Sequence, residues 1–259
     1  MGIDKPFHRN IRSHIPSPNA GYNSSAFIRD RDYARNSINY LRAYFIIQGD
    51  FEKLCEYIEP SPESLTTYSY RIHELLMRIC IELEANLKAI LAENINSARQ
   101  LNMGIYRKID VTHHLSSYEL VLPTWHGPRR LIKPFESWLG AKGYGTGKSP
   151  DWYKAYNASK HDREEAFKQS NMKYLIDALA GLLVVISSQF RTETFSAGGD
   201  TISGGSSSYH ELKPAIGSLF RIQFPDDWAD SEKYDFDWQK LQKDTVRFSK
   251  IDYDKIDVS

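Results

Sequence analysis

Leu175-Ile176-Asp177-Ala178-Leu179-Ala180-Gly181-Leu182-Leu183-Val184-Val185-Ile186 carries apolar residues on nearly every side of a helical projection. A helix without a polar face has to be covered all round by other segments. Phe167, Met172 and Phe190 continue the same spacing, which predicts a long central helix over 163–190. The unbroken apolar run at 178–186 follows Asp177 and is too short to span a bilayer. The stretch therefore sets the fold class as mainly α: a helical bundle organised round one buried helix.

Working outward, Ser149-Pro150-Asp151 opens a helix expected over 150–162, with Pro suited to a first turn. Ser61-Pro62-Glu63 opens another in the same way. Its apolar residues, among them Ile72, Leu76, Ile79, Leu83 and Leu87, keep a helical period over 62–94. The other side carries Arg71, Glu74, Arg78, Glu82 and Asn86, and such a face is usually solvated and salt-paired. Tyr33, Ser37, Leu41, Tyr44 and Gln48 predict a helix over 30–48 that Gly49 ends. A short helix follows at 51–58, closed by Pro60, and 96–116 reads as a connection. Two β-like runs, Tyr118-Glu119-Leu120-Val121-Leu122 and Arg130-Leu131-Ile132-Lys133-Pro134-Phe135, flank a Pro- and Gly-containing turn. They predict a small β-hairpin insertion at 117–135, with one further strand from 216–224 beside it.

The remaining segments frame the bundle, which is expected over 30–190. Residues 1–29 form an extended N-terminal arm, and 191–210 a Gly/Ser-rich loop. Residues 211–259 form a long, irregular, acidic segment whose Trp228, Tyr234, Phe236 and Trp238 pack on the bundle. Lys plus Arg and Asp plus Glu both number 33, which argues against a protein coated in cations for nucleic acid. The charge is uneven, however, with eight Lys/Arg against three acids at 129–163 and six acids against one Lys at 226–237. Cys55 and Cys80 fall in helical patterns and read as reduced thiols. With no apolar leader near Met1, a cytoplasmic protein is expected.

Several chemistries fail on spacing. Gly145-Thr146-Gly147-Lys148-Ser149 has Lys142 where a phosphate loop needs its first Gly, and Pro150 removes an amide that would face phosphate. His113 and His114 are adjacent, point apart on a regular element and have no acidic companion at a ligating spacing. No metal or cofactor is expected. Neither a Gly-x-Ser-x-Gly elbow nor a catalytic cysteine signature is present.

The helix at 150–162 is the candidate site. Lys154, Asn157 and His161 share one face at i, i+3 and i+7, with Trp152 and Tyr156 on a neighbouring face and Lys160 and Arg163 flanking the His. An imidazole exchanges protons near neutrality, an Asn can orient it, and nearby cations can stabilise a phosphorane-like transition state. These parts suit metal-independent RNA cleavage by ribose 2′-OH attack. The structural counterpart is a hydrogen-bonded corner in which Asn157 and His161 bridge helices. A third option places a small ligand between hairpin and bundle, walled by Trp125, Trp138 and Trp152.

The run Tyr156-Asn157-Ala158-Ser159-Lys160-His161-Asp162-Arg163, set between long helices, resembles the HEPN superfamily of helical, often dimeric defence and toxin ribonucleases. Active members carry an Arg, usually followed by a polar residue, and after a short spacer a His. His161 matches that His. Ala155 and Tyr156 occupy permitted Arg positions and Lys154 another, followed by Ala155 in place of a polar residue. A Lys offers a point charge where Arg offers a bidentate fork. The resemblance implies an RNA-directed protein, a metal-independent endoribonuclease of bacterial defence or toxin type. Its site would use His161 as acid/base, Asn157 to orient it and Lys154 with Arg163 on phosphate. Lys160, Trp152 and Tyr156 would contact the substrate. Partners would be RNA and a second copy or another protein, with no membrane. Non-catalytic superfamily members supply the alternative, a helical interaction or scaffold protein.

Overall fold

The structure, a computed structural model, describes residues 1–16, 25–142, 148–195 and 212–258. The Gly/Ser-rich loop at 196–208 and most of the Gly145–Ser149 loop lie outside the described residues.

The molecule is mainly α with a small antiparallel β element, as the apolar periodicity predicts. Helices α1 (Ser37–Cys55), α2 (Tyr70–Ala92) and α3 (Met103–His113) precede strand β1 (Glu119–Val121). Helices α4 (Asp151–His161), α5 (Arg163–Ala166) and α6 (Met172–Phe190) follow. Strands β2 (Lys213–Pro214) and β3 (Arg221–Gln223) and a single turn, α7 (Trp238–Leu241), close the chain.

Helix α6 is the centre of the bundle, packed by α1, α2 and α4, with 16 of its 19 residues buried. By length and composition alone it could cross a bilayer, but 83% of its apolar window is buried inside the protein. It is a core helix. Burying each Leu, Ile or Val of this kind stabilises the fold by about 1.5–3 kcal/mol.

Five boundaries differ from the expected ones, the first being the start of α1, at Ser37 and not at 30, since residues 30–36 form bends and turns. Gly49 does not end α1. The helix runs through it, because Ile47, Gln48 and Phe51 keep one buried face continuous across it. Pro62 does not start α2. Residues 61–66 are turns, and the carbonyls of Leu65 and Thr67 accept from Lys173 N (3.0 Å) and Met172 N (2.9 Å). They thus satisfy the open amides at the start of α6. Helix α2 begins at Tyr70, where the Ser69 side chain accepts from Ile72 N. The helix expected over 163–190 breaks before Met172, because Asn171 bridges Tyr68 and caps α6 by accepting from Tyr174 N. Lastly, 96–116 contains α3, capped by Asn102 and burying Met103, Tyr106 and Ile109.

The β element has strand order β1-β3-β2, all antiparallel, with Leu120 opposite Ile222. The return arm of the hairpin contributes one bridge, Leu120 to Ile132, held by two hydrogen bonds of 2.9 Å. Pro134 lacks the N–H that would extend it, and Phe135 and Trp138 turn into the core instead. Strand 221–223 lies beside β1, where the sequence placed a further strand.

Both chain ends are woven into the body. Ile3 and His14 bridge Tyr234, Phe7 bridges Ser249, and Ile95 bridges Asp252. Asp227 and Glu232 engage His114.

Candidate functional site

Helix α4 starts as Pro150 dictates: the Pro150 carbonyl accepts from the amides of Tyr153 and Lys154, both at 3.0 Å. It ends where Asp162 leaves the helix and turns its carboxylate to the Glu165 amide (3.1 Å), capping α5. One face is buried: Trp152, Tyr153, Ala155, Tyr156 and Ser159. The opposite face carries Lys154, Asn157 and His161, as the spacing predicts.

That separation removes two expected substrate contacts. Trp152 is core, its Nε1 donating to the Pro134 carbonyl at 2.9 Å and its ring packed on Phe135. Tyr156 is also buried, and burial followed by the nearby Glu84 carboxylate pushes its hydroxyl pKa up to about 12. Tyr153 donates to Glu84 Oε1 at 2.9 Å. Ser159 donates to the Ala166 carbonyl (3.1 Å) and accepts from Ser170 (2.8 Å), which also meets His73 Nδ1 at 3.1 Å. This half of α4 is a structural joint between α2, α5 and α6. The Trp-walled ligand site dissolves in the same way, since Trp138 and Trp152 are buried around Phe135.

On the outer face the predicted residues part company. Lys154 pairs with Asp151 at 2.8 Å, and its hydrogen bond holds the Asp151 carboxyl below the usual carboxylate range. It lies two turns before His161, about 10 Å along the axis. Asn157 is half-buried beside the Tyr153 hydroxyl. His161 is exposed, and its imidazole has no hydrogen-bond partner among the described residues, so the helix-bridging pair with Asn157 does not form. Lys160 places its ammonium over the Tyr156 ring at 5.5 Å, and Arg163 its guanidinium 6.0 Å from the Tyr70 ring centre.

Tyr70 leads to a feature absent from the sequence-level site. Tyr68 and Tyr70 are 42% and 68% exposed and pack against Phe167, with ring centres 5.6 and 4.8 Å away. His73 completes the cluster at 5.9 Å from Phe167. Burial, and secondarily the Arg163 charge, lower the His73 pKa from its ordinary value. Helical spacing places Phe167 in the apolar stripe of the central helix. The break before Met172 leaves it half-buried against Tyr68 and Tyr70 instead. Their signal was aromatic density near both helix starts.

The polar face of α2 divides. Arg71 pairs with Glu74 in solvent and Arg78 reaches Asp50 at 2.6 Å, whereas Asn86 is buried and accepts from Gln189 of α6 at 3.1 Å. Among the described residues no group of three or more His, Cys, Asp or Glu side chains is placed to hold a metal. No family model, curated protein or solved structure matches this chain.

Proposed function

We propose that the protein is RNA-directed and takes single-stranded RNA at the corner formed by α4, α5 and the start of α2. The observation that carries this reading is the open imidazole of His161, flanked in the chain by Lys160 and Arg163, with Arg163 set against the exposed Tyr70 cluster. Exposed tyrosines offer stacking surface worth about 1–3 kcal/mol per base. Flanking cations neutralise phosphates. At such a corner His161 is the group able to move a proton: the ribose 2′-oxygen attacks the adjacent phosphorus and the bond to the 5′-oxygen breaks. A 2′,3′-cyclic phosphate and a 5′-hydroxyl result. His161 takes the 2′-OH proton or supplies the 5′-oxygen proton, and water handles the other. Two free thiols, Cys55 and Cys80, accord with a reducing cytoplasm. A bacterial defence or toxin role would follow from cleavage and from the superfamily resemblance.

The test is incubation of the full chain with looped RNA in EDTA, beside His161→Ala and Tyr70→Ala. Cleavage is expected to vanish in His161→Ala and weaken in Tyr70→Ala, with binding retained in the former. Equal cleavage by His161→Ala ends the catalytic assignment. A non-catalytic interaction protein is the second reading, favoured by the commitment of Lys154 to Asp151 and of Trp152 and Tyr156 to the core. It predicts RNA or protein binding with no cleavage by the wild type.

A further inference from the structure

Helix α1 shows apolar residues on its outer side as well as its inner one. Leu41, Tyr44, Ile47, Gln48 and Phe51 face inward. On the outer side Ile38, Arg42, Phe45, Gly49, Glu52 and Glu56 follow one another at alternating spacings of four and three residues, the pattern of a seam between two helices. Ile38, Phe45 and Ile46 are 60%, 37% and 52% exposed. A Cβ built on Gly49 meets nothing within 4 Å, so a second backbone can come close at this point. Glu56 follows the last helical residue and keeps helical angles (φ −65°, ψ −20°).

The charges along this seam are self-complementary. Arg42 lies seven residues before Gly49 and Glu56 seven residues after it, each about 10 Å along the axis. Both are exposed, and among the described residues neither side chain has a hydrogen-bond or ion-pair partner. Glu56 also stands on a cleft of about 460 Å³, walled by Glu52, Glu59, Pro60, Pro123 and Leu219, with no cation among its described lining residues. Burial, and then the Glu59 and Glu52 charges, push the Cys55 thiol in the same wall up to a pKa of about 12. The acidic end of the seam is therefore uncompensated within one copy, and so is the cation at its other end.

We infer that this face docks a second copy of the chain, the two α1 helices running antiparallel and crossing at Gly49, with Arg42 of each copy on Glu56 of the other. A two-fold axis at Gly49 brings each position opposite the one equally far on the other side. Arg42 meets Glu56 twice, and Ile38, Phe45 and Ile46 are covered between the copies. Parallel helices in register would set Arg42 on Arg42 and Glu56 on Glu56. The seam shares no residue with the α4–α5 corner or with the run at 156–163 that carries the superfamily resemblance.

The test is sedimentation velocity on the full chain without nucleic acid, comparing the wild type, Arg42→Glu, Glu56→Arg and a one-to-one mixture of the two variants. Both substitutions fall at exposed positions, and Glu56→Arg places a cation at a helix C-terminus, where it is favoured. One helix pair makes a small interface, so the wild type is expected to be dimeric at about 100 µM and to dissociate on dilution toward about 1 µM. Each variant alone sets like charges opposite each other at two symmetric places and should dimerise at least about tenfold more weakly. In the mixture the reversed charges meet as opposites, so the dimer should return, and its return shows that both variants are folded. His161→Ala should dimerise as the wild type does, which separates this result from the RNA reading. A wild type that stays monomeric at about 100 µM, single variants that dimerise as tightly as the wild type, or a mixture that recovers nothing overturns the proposal.

Discussion

Arg9 is the residue on which the most buried polarity converges. Its side chain is 1% exposed. It donates to Glu93 Oε1 (2.6 Å), to Gln189 Oε1 (2.8 Å) and to the Arg35 carbonyl. Removing one partner of a buried pair strands the other charge, at a cost of about 3–5 kcal/mol. Arg9→Met is therefore expected to lower unfolding stability by that amount in urea titrations, with Arg9→Met/Glu93→Leu recovering part of it. His113 tells a related story with a pH dependence. It is fully buried, with Nε2 on the Arg9 carbonyl at 2.9 Å and Nδ1 on Thr112 at 2.8 Å. Burial lowers its pKa from 6.5 to about 3. Below the unfolded value the unfolded chain takes up a proton that the folded chain refuses, so stability falls with pH through that window and is flat above it for this group. The loss is about 1.4 kcal/mol per pH unit. Denaturation curves from about pH 7.5 to about pH 4.5 should show this slope, and His113→Asn should flatten it by about one proton. An unchanged slope would mean that His113 is not the group responsible. That the adjacent histidines point apart was legible from their spacing. Their partners were not, since His114 stacks on Trp228 at 3.8 Å and bonds Asp227 at 2.7 Å, more than 100 positions later in the chain.

Among elements, helix identity followed from periodicity, and helix ends depended on what the neighbouring segments needed. Gly49 looked like a terminator because glycine is a poor helix residue. It lies inside α1 with open space around it. Gly49→Ala should therefore stabilise the protein by about 0.5–1 kcal/mol, readable as a raised Tm. Gly217 is the opposite case. Its φ is +81°, and an added Cβ would overlap the Gln48 side chain, whose Nε2 donates to the Gly217 carbonyl at 2.8 Å. Gly217→Ala should cost about 1–3 kcal/mol, and loosening of the contact with α1 should show in amide exchange at residues 44–52. Ser69 is the cap that sequence reading placed at Ser61. Ser69→Ala is expected to cost about 1 kcal/mol, whereas Ser61→Ala leaves the α2 cap untouched. The outer face of α4 was legible because Lys154, Asn157 and His161 depend only on helical spacing. The Tyr68–Tyr70–Phe167 cluster was not, because it exists only through the break between α5 and α6.

At the scale of the whole molecule the arm and the tail behave as parts of one body. The amides of Ile3 and Ile15 donate to the carbonyls of Lys233 (2.8 Å) and Tyr234 (2.9 Å), and Ser249 donates to Pro6 (2.9 Å). Tyr253 donates to the Ile95 carbonyl at 2.9 Å, and Asn94 Oδ1 accepts from Ile251 at 2.8 Å. A chain ended at residue 210 would lose the partners of both, along with strand β3 beside β1. Such a truncation is expected to lose the cooperative thermal transition and to aggregate, and a sharp melt at the wild-type temperature would refute this interlocking. By itself, the sequence determined the helical class, the central place of the apolar helix around 175–186 and the sidedness of α4. These rest on local periodicity, and an all-apolar helix has only one stable place. Tertiary structure alone decided where α1 and α2 begin and end, which aromatics reach the surface, and that Glu52, Glu56 and Glu59 share a cleft with Pro123 and Leu219. Those outcomes are set by hydrogen-bond satisfaction and side-chain packing between segments far apart in the chain, such as Thr67 with Met172 and Gln48 with Gly217, which no local pattern encodes.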